Sequence, residues 1–217
     1  IGLRRLDVYI PQYPVGLPKD LAQKIGEFAA IARVVVGVTN LKVFGFGPRP
    51  QDFLACNAPI QPLYDIGATV MENSELDLLV EFKKAAADKA GIKAIAADMA
   101  KELKGGCAWP DLLPRLAQYE LALMNFYEKS LGAASYGVFA NKCWPAFESE
   151  FGFVPCYINS RLAGRGIPVA CEVDLYGAVS EYMLQCATGL PATLLDINNS
   201  VPADVIKGKN LKGVPAK

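Results

Sequence analysis

Two carboxylates two residues apart, Glu172 and Asp174, stand where the apolar run Ile167 to Val173 gives way to a helical pattern. Side chains at i and i+2 of a strand point to one side, so this pair converges if strand geometry persists that far. A second apolar run, Ala192 to Ile197, would deliver Asp196 to the same edge, with Asn198 and Asn199 just beyond. Carboxylates brought together repel, and need a cation or a shared proton. An all-oxygen cluster suits Mg2+ or Mn2+. The plainer reading of the same residues is Asp174 as a helix N-cap and Glu172 as a strand-end charge.

Two other stretches offer contacts rather than catalysis. Asn141-Lys142-Cys143-Trp144-Pro145 places an indole beside an ammonium, a platform for the apolar face of a sugar with a donor for its oxygens. The turn Gly45 to Pro50 could bring backbone amides and Arg49 to an anion, although Pro50 breaks any dinucleotide fingerprint. Core packing of Trp144 and a plain strand-to-loop turn are the competing structural readings. Tyr157, Asn159 and Arg161 are polar residues that the pattern does not single out.

The elements that must hold these residues alternate. Strands are expected at Leu6–Ile10, Leu41–Phe46, Ala68–Met71, Tyr136–Phe139, Ile167–Val173 and Ala192–Ile197. Helical patterns run from Asp20, a candidate N-cap, to about Val36, with Leu21, Ile25, Phe28, Ala29 and Ala32 on one face. Further helices are expected over 74–104 with a break at Gly91, over 111–131 with an interruption near Pro114, over 145–151, and over 175–187. In the last, Leu175, Ala178, Val179, Tyr182, Met183 and Cys186 keep helical spacing. Strands separated by single helices predict an α/β fold with an open, mostly parallel sheet flanked by helices, a Rossmann- or flavodoxin-like three-layer sandwich.

Composition sets limits on the chemistry. The 217 residues hold 22 basic and 22 acidic side chains and no histidine. A Ser-His-Asp triad, a Cys-His dyad and a histidine-bound zinc are therefore excluded within this chain. Zero formal net charge gives no long-range attraction to nucleic acid or anionic lipid, so neither is an expected partner. With 52% apolar and 20% charged residues the chain reads as an ordinary globular protein. No stretch suggests a membrane span or a signal peptide. The six cysteines form no CxxC pair and read as reduced residues of a cytoplasmic protein, with Cys143 and Cys156 nearest in sequence.

Three segments together carry a family resemblance. They are Lys142-Cys143-Trp144-Pro145-Ala146-Phe147, Phe151-Gly152-Phe153-Val154-Pro155-Cys156, and Gly166 through Ala178 with Ala170-Cys171-Glu172-Val173-Asp174 at its centre. Followed by Thr188-Gly189-Leu190-Pro191 and Leu195-Asp196-Ile197-Asn198-Asn199, they resemble the L-fucose isomerase and L-arabinose isomerase superfamily over residues 136–202. The resemblance implies a metal-dependent aldose–ketose isomerase, typically using Mn2+, with the sugar bound at the ion and a proton moved between C1 and C2 through an enediol. It places the family aspartate on Asp174 and the upstream glutamate on Glu150 in preference to Glu148. Asp174 and Glu150 would then serve both ion and proton transfer, Glu172 would be a further ligand, and Trp144, Lys142 and Asn198 would contact the sugar.

The family's histidine has no counterpart here, and its members are about twice as long as this chain. The resemblance thus implies a middle portion, inactive by itself. Residues 1–165 would form a central α/β domain and 166–217 the start of the next segment. It also implies a homo-oligomer with a small-molecule sugar substrate. A non-catalytic sugar-binding or structural module of the same fold is the alternative.

Overall fold

The computed structural model describes residues 10, 12, 13 and 15–195. The expected strand at Leu6–Ile10 falls almost wholly outside them. The order begins α1 (Pro18–Thr39), β1 (Leu41–Phe46), α2 (Gln61–Asp65), β2 (Thr69–Asn73), α3 (Glu75–Ala85) and α4 (Lys89–Glu102). It continues with α5 (Leu113–Ser130), β3 (Tyr136–Ala140), α6 (Ala146–Phe151), α7 (Cys156–Gly164), β4 (Val169–Ala170) and α8 (Leu175–Thr188). No helix among the described residues is long and apolar enough to cross a membrane.

The four strands form one parallel sheet in the order β2-β1-β3-β4. Residues on both sides of position 165 share it, since Ala140 of β3 pairs with Ala170 of β4. Alternation along each strand feeds two cores. Phe44, Phe46 and Phe139 face an aromatic core shared with α3 to α7. Leu41, Val43, Val138 and Ala140 face a smaller, aliphatic core built with α1, α2 and α8. Helices on both faces of a parallel sheet satisfy the expectation of a three-layer α/β sandwich, because strands buried on both sides need covering twice.

Several local expectations are corrected. The break expected at Gly91 lies earlier, over residues 86–88, where Asp88 caps α4 by accepting the Gly91 N–H at 2.8 Å. Pro114 does not interrupt α5 but sits in its first turn, where a missing N–H costs nothing. Asp20 lies in the first turn of α1 and accepts the Leu17 N–H at 2.9 Å; Leu17 is the cap position. The face carrying Leu21, Ile25 and Phe28 stands exposed. The far end of α1 is instead tied to α8, where Arg33 donates to the Cys186 and Ala187 carbonyls at 2.8 and 2.9 Å. The strand expected over 192–197 does not form across 192–195, and the remainder lies outside the described residues.

Candidate functional site

The chain leaves β1 toward β2 on one side, then returns to place β3 and β4 on the other. The carboxyl ends of β1 and β3 therefore flank a topological switch point, the place where open α/β sheets form a ligand crevice. A cavity of about 220 Å3 lies there. Phe46, Leu78, Phe147 and Phe151 give it an apolar lining, while Ser74, Glu75, Asn141, Lys142 and Glu150 supply polar groups. This is below the about 300–1,000 Å3 usual for drug-sized ligands and suits a smaller molecule.

Each polar group arrives there for a local reason. Ser74 caps α3, and Asp77 reciprocates by accepting the Ser74 N–H at 2.8 Å, so Glu75 is fixed in the first helical turn directly after β2. Asn141 and Lys142 follow the end of β3. Lys142 Nζ stands 3.7 Å from Glu75 Oε1, with the lysine mostly buried. Gly47 makes this approach possible. Its φ is +101°, and a Cβ there would meet Glu75 Cγ at 2.8 Å and Lys142 Cε at 3.3 Å. Behind the crevice, Asn141 Nδ2 donates to the buried Tyr119 hydroxyl at 2.9 Å, and burial pushes that phenol far above its ordinary value.

Further along, the loops that follow β3 and β4 form a separate rim of the sheet's carboxyl edge, outside the lining of this cavity, and it is built differently. The Trp144 indole N–H donates to both Glu172 oxygens, at 3.1 and 3.3 Å. Cys171 Sγ lies 3.8 Å from Cys143 Sγ. Burial pushes the Cys171 thiol up to about 12, with the nearby Cys143 and Glu172 adding to the rise, and burial also raises Cys143.

The expected pairing of Glu172 with Asp174 fails because the strand ends too soon. Only Val169 and Ala170 are extended, and Glu172 and Val173 adopt φ values of +60° and +52°. That turn breaks the two-residue alternation. Asp174 caps α8, accepting the Gly177 N–H at 2.8 Å, so the plainer reading of this residue holds. Asp196 and Asn198 lie outside the described residues. Lys142 and Glu150 line one cavity, whereas Trp144 and Glu172 meet each other in the neighbouring loops and do not line it. Arg49 spends its guanidinium on the carbonyls of Cys56 and Ala58, closing its own loop. Tyr157, Asn159 and Arg161 lie on α7, a helix absent from the expected pattern, where Arg161 enters a buried ion-pair network.

Among the described residues, Cys143, Cys171 and Glu172 are the one set of three histidine, cysteine or acidic side chains whose donor atoms converge, all within 4.8 Å. Glu150 and Asp174 are not part of it. The side chains gathered here do not by themselves fit an all-oxygen manganese site. Glu75 was not singled out by sequence, and Asn141 was named only as the first residue of the Trp144 stretch, with no role of its own. The signal for Glu75 was the Ser74-x-x-Asp77 capping pattern immediately after a strand, which puts α3 at the sheet's carboxyl edge.

No protein-family model matches the chain. Among curated proteins it is 27% identical over 182 residues to a sulfoquinovose isomerase of Clostridium sp. (strain MSTE9), covering 82% of this chain and 40% of that protein. A sulfoquinovose isomerase of Alkalicoccus urumqiensis is 25% identical over 173 residues, 78% of this chain and 38% of the relative. That of Priestia megaterium (strain ATCC 12872 / QMB1551) is 23% identical over 174 residues, 79% and 37% respectively. The chain is thus related to sugar isomerases, and it spans about 40% of the length of the relatives it matches.

Proposed function

We propose that this chain is the sheet-bearing portion of an aldose–ketose isomerase whose sugar binds in the crevice beyond β1 and β3. The observation that carries the reading is the meeting of Lys142, Glu75 and Glu150 on one small cavity at the switch point, in a chain related to sugar isomerases. Isomerisation moves a proton from C2 to C1 and another from the C2 hydroxyl to the C1 oxygen, with an enediol between. A carboxylate can carry the carbon-bound proton, and a nearby cation favours the charge that develops on oxygen. Glu150 is assigned the first task and Lys142 the second. Glu75 holds the ammonium in place, and Trp144 at the rim offers its ring to the sugar's apolar face.

Manganese or another divalent cation, which the family resemblance implies, would need ligands beyond those gathered at this crevice. The relatives' name makes sulfoquinovose the first sugar to test, with L-fucose and L-arabinose beside it. The test is proton exchange at C2 in deuterated water, followed by NMR with and without Mn2+. Exchange with one sugar, reduced about a hundredfold or more in Glu150→Gln, is the expected result. Unchanged exchange in Glu150→Gln would remove that residue's role. Absence of both exchange and sugar-dependent thermal stabilisation would sink the whole reading. Stabilisation without exchange would fit the expected portion that is inactive by itself as well as the non-catalytic sugar-binding module, and would remove the assignment of proton transfer to this chain alone.

A further inference from the structure

The two thiols at the rim are 28 residues apart in sequence and adjacent in space for a definite reason. Ala140 and Ala170 are paired in register at the ends of β3 and β4, so the loops that follow leave the sheet side by side. Asn141 N–H donates to the Ala170 carbonyl and Val173 N–H to the Asn141 carbonyl, both at 3.0 Å, locking the two loops together. The left-handed turn at Glu172 and Val173 then brings the Glu172 carboxylate back over the sulfurs. Trp144 grips that carboxylate through its indole N–H and fixes its orientation.

We infer that Cys143, Cys171 and Glu172 form a binding site for a divalent cation of the zinc class, with one position left for water or a further ligand. The geometry is close to what such an ion needs. Zn–S bonds of about 2.3 Å in a tetrahedron put two sulfurs about 3.8 Å apart, and the observed separation is 3.8 Å. It is far too long for a disulfide, whose S–S bond is about 2.05 Å. All three donors lie within 4.8 Å of one another, and none is fully buried, so an ion can reach them. Two sulfurs and one carboxylate select zinc or cobalt over magnesium or manganese, which prefer oxygen. Trp144 plays the orienting part that outer hydrogen-bond partners play around metal ligands.

The test is a Co2+ titration of the 217-residue chain, kept reduced with a phosphine and followed by the thiolate-to-cobalt charge-transfer band. The expected result is a saturable band that Zn2+ bleaches and equimolar Mn2+ does not. Cys143→Ser and Cys171→Ser abolish the two-thiolate band, Glu172→Gln weakens cobalt affinity at least tenfold, and Cys107→Ser changes nothing. No band in the folded wild type, or the same band in both serine variants, overturns the site. X-ray absorption of the zinc-loaded wild type covers the case in which a cysteine variant fails to fold. Two sulfurs at about 2.3 Å are expected, and an oxygen-only shell refutes the inference. None of these measurements involves a sugar, so their outcome is separate from that of the isomerase reading.

Discussion

Two polar clusters sit on opposite terms with the fold. On the helical side, Arg161 of α7 is almost wholly buried and donates from Nε to Glu120 of α5 at 2.7 Å, while Arg165 Nη1 reaches the same carboxylate at 3.0 Å. Asp98 and Glu102 of α4 complete the set. Hydrogen bonds from Arg161 and Arg165 hold the Asp98 carboxyl below its ordinary range. Every charge there meets its opposite across three helices. At the rim, by contrast, two thiols and a carboxylate face one another, and the Trp144 indole donates to Glu172. The first arrangement ties helices together; the second leaves its donors available to a ligand.

Replacing Arg161 is the largest way to test that contrast. Arg161→Ala leaves Glu120 as a buried charge with only Arg165 near it, and should cost about 3–5 kcal/mol in chemical denaturation. A loss below about 1 kcal/mol would mean that water replaces the guanidinium and that the cluster does not bind the helices. At the rim, the raised Cys171 thiol should react slowly with iodoacetamide at pH 8. Relative to an ordinary thiol the rate should fall about a hundredfold, after allowing for the greater nucleophilicity of a high-pKa thiolate. Peptide mapping that finds Cys171 labelled as fast as the exposed Cys156 would place it outside a buried pair.

Asp174 lies between the two behaviours. As a cap, Asp174→Ala should cost about 1 kcal/mol and Asp174→Asn much less, because asparagine also accepts a backbone N–H. If Asp174→Asn instead kept full stability but lost a Mn2+-dependent thermal shift, the residue would be a ligand as well as a cap. The smallest effect concerns Glu181 on α8. Burial raises its carboxyl, the Leu194 N–H at 2.5 Å partly offsets this, and the charge of Asp174 adds to the rise. Above the ordinary glutamate range but below the raised value, the folded state holds more protons than the unfolded chain. Stability therefore falls as pH rises through that window and levels off above it. Glu181→Gln should flatten this slope in denaturation series; an unchanged slope would assign it to another group.

The layers were legible because strands and helices alternate, and because β1, β3 and α8 have clear apolar patterns. Helix α7 was not, since Asn159 and Arg161 interrupt its apolar pattern with polar groups whose burial depends on partners elsewhere, such as Asp98 of α4 and Glu120 of α5 for Arg161. Lys142 and Glu150 were named from sequence, and the fold puts both on the crevice. The pairing of Glu172 with Asp174 rested on extended backbone, which positive φ values at two non-glycine residues replace. No rule of spacing forecasts those. Nor could Cys143 and Cys171 be matched in advance, because their approach depends on the register of β3 against β4. Attention to sequence distance favoured Cys143 and Cys156 instead.

The indole–carboxylate bond also gives the molecule an optical probe. The chain has two tryptophans, and Trp109 is largely solvent-exposed, at 71%. Trp144 sits in the loop that follows β3, with its ring nitrogen on Glu172. A sugar stacking on that ring, or a cation drawing the carboxylate away, changes the polarity around one indole and leaves the other in water. Shifts in intrinsic fluorescence should therefore come from Trp144, and occupancy of this edge can be followed without a label, a dye or a turnover assay.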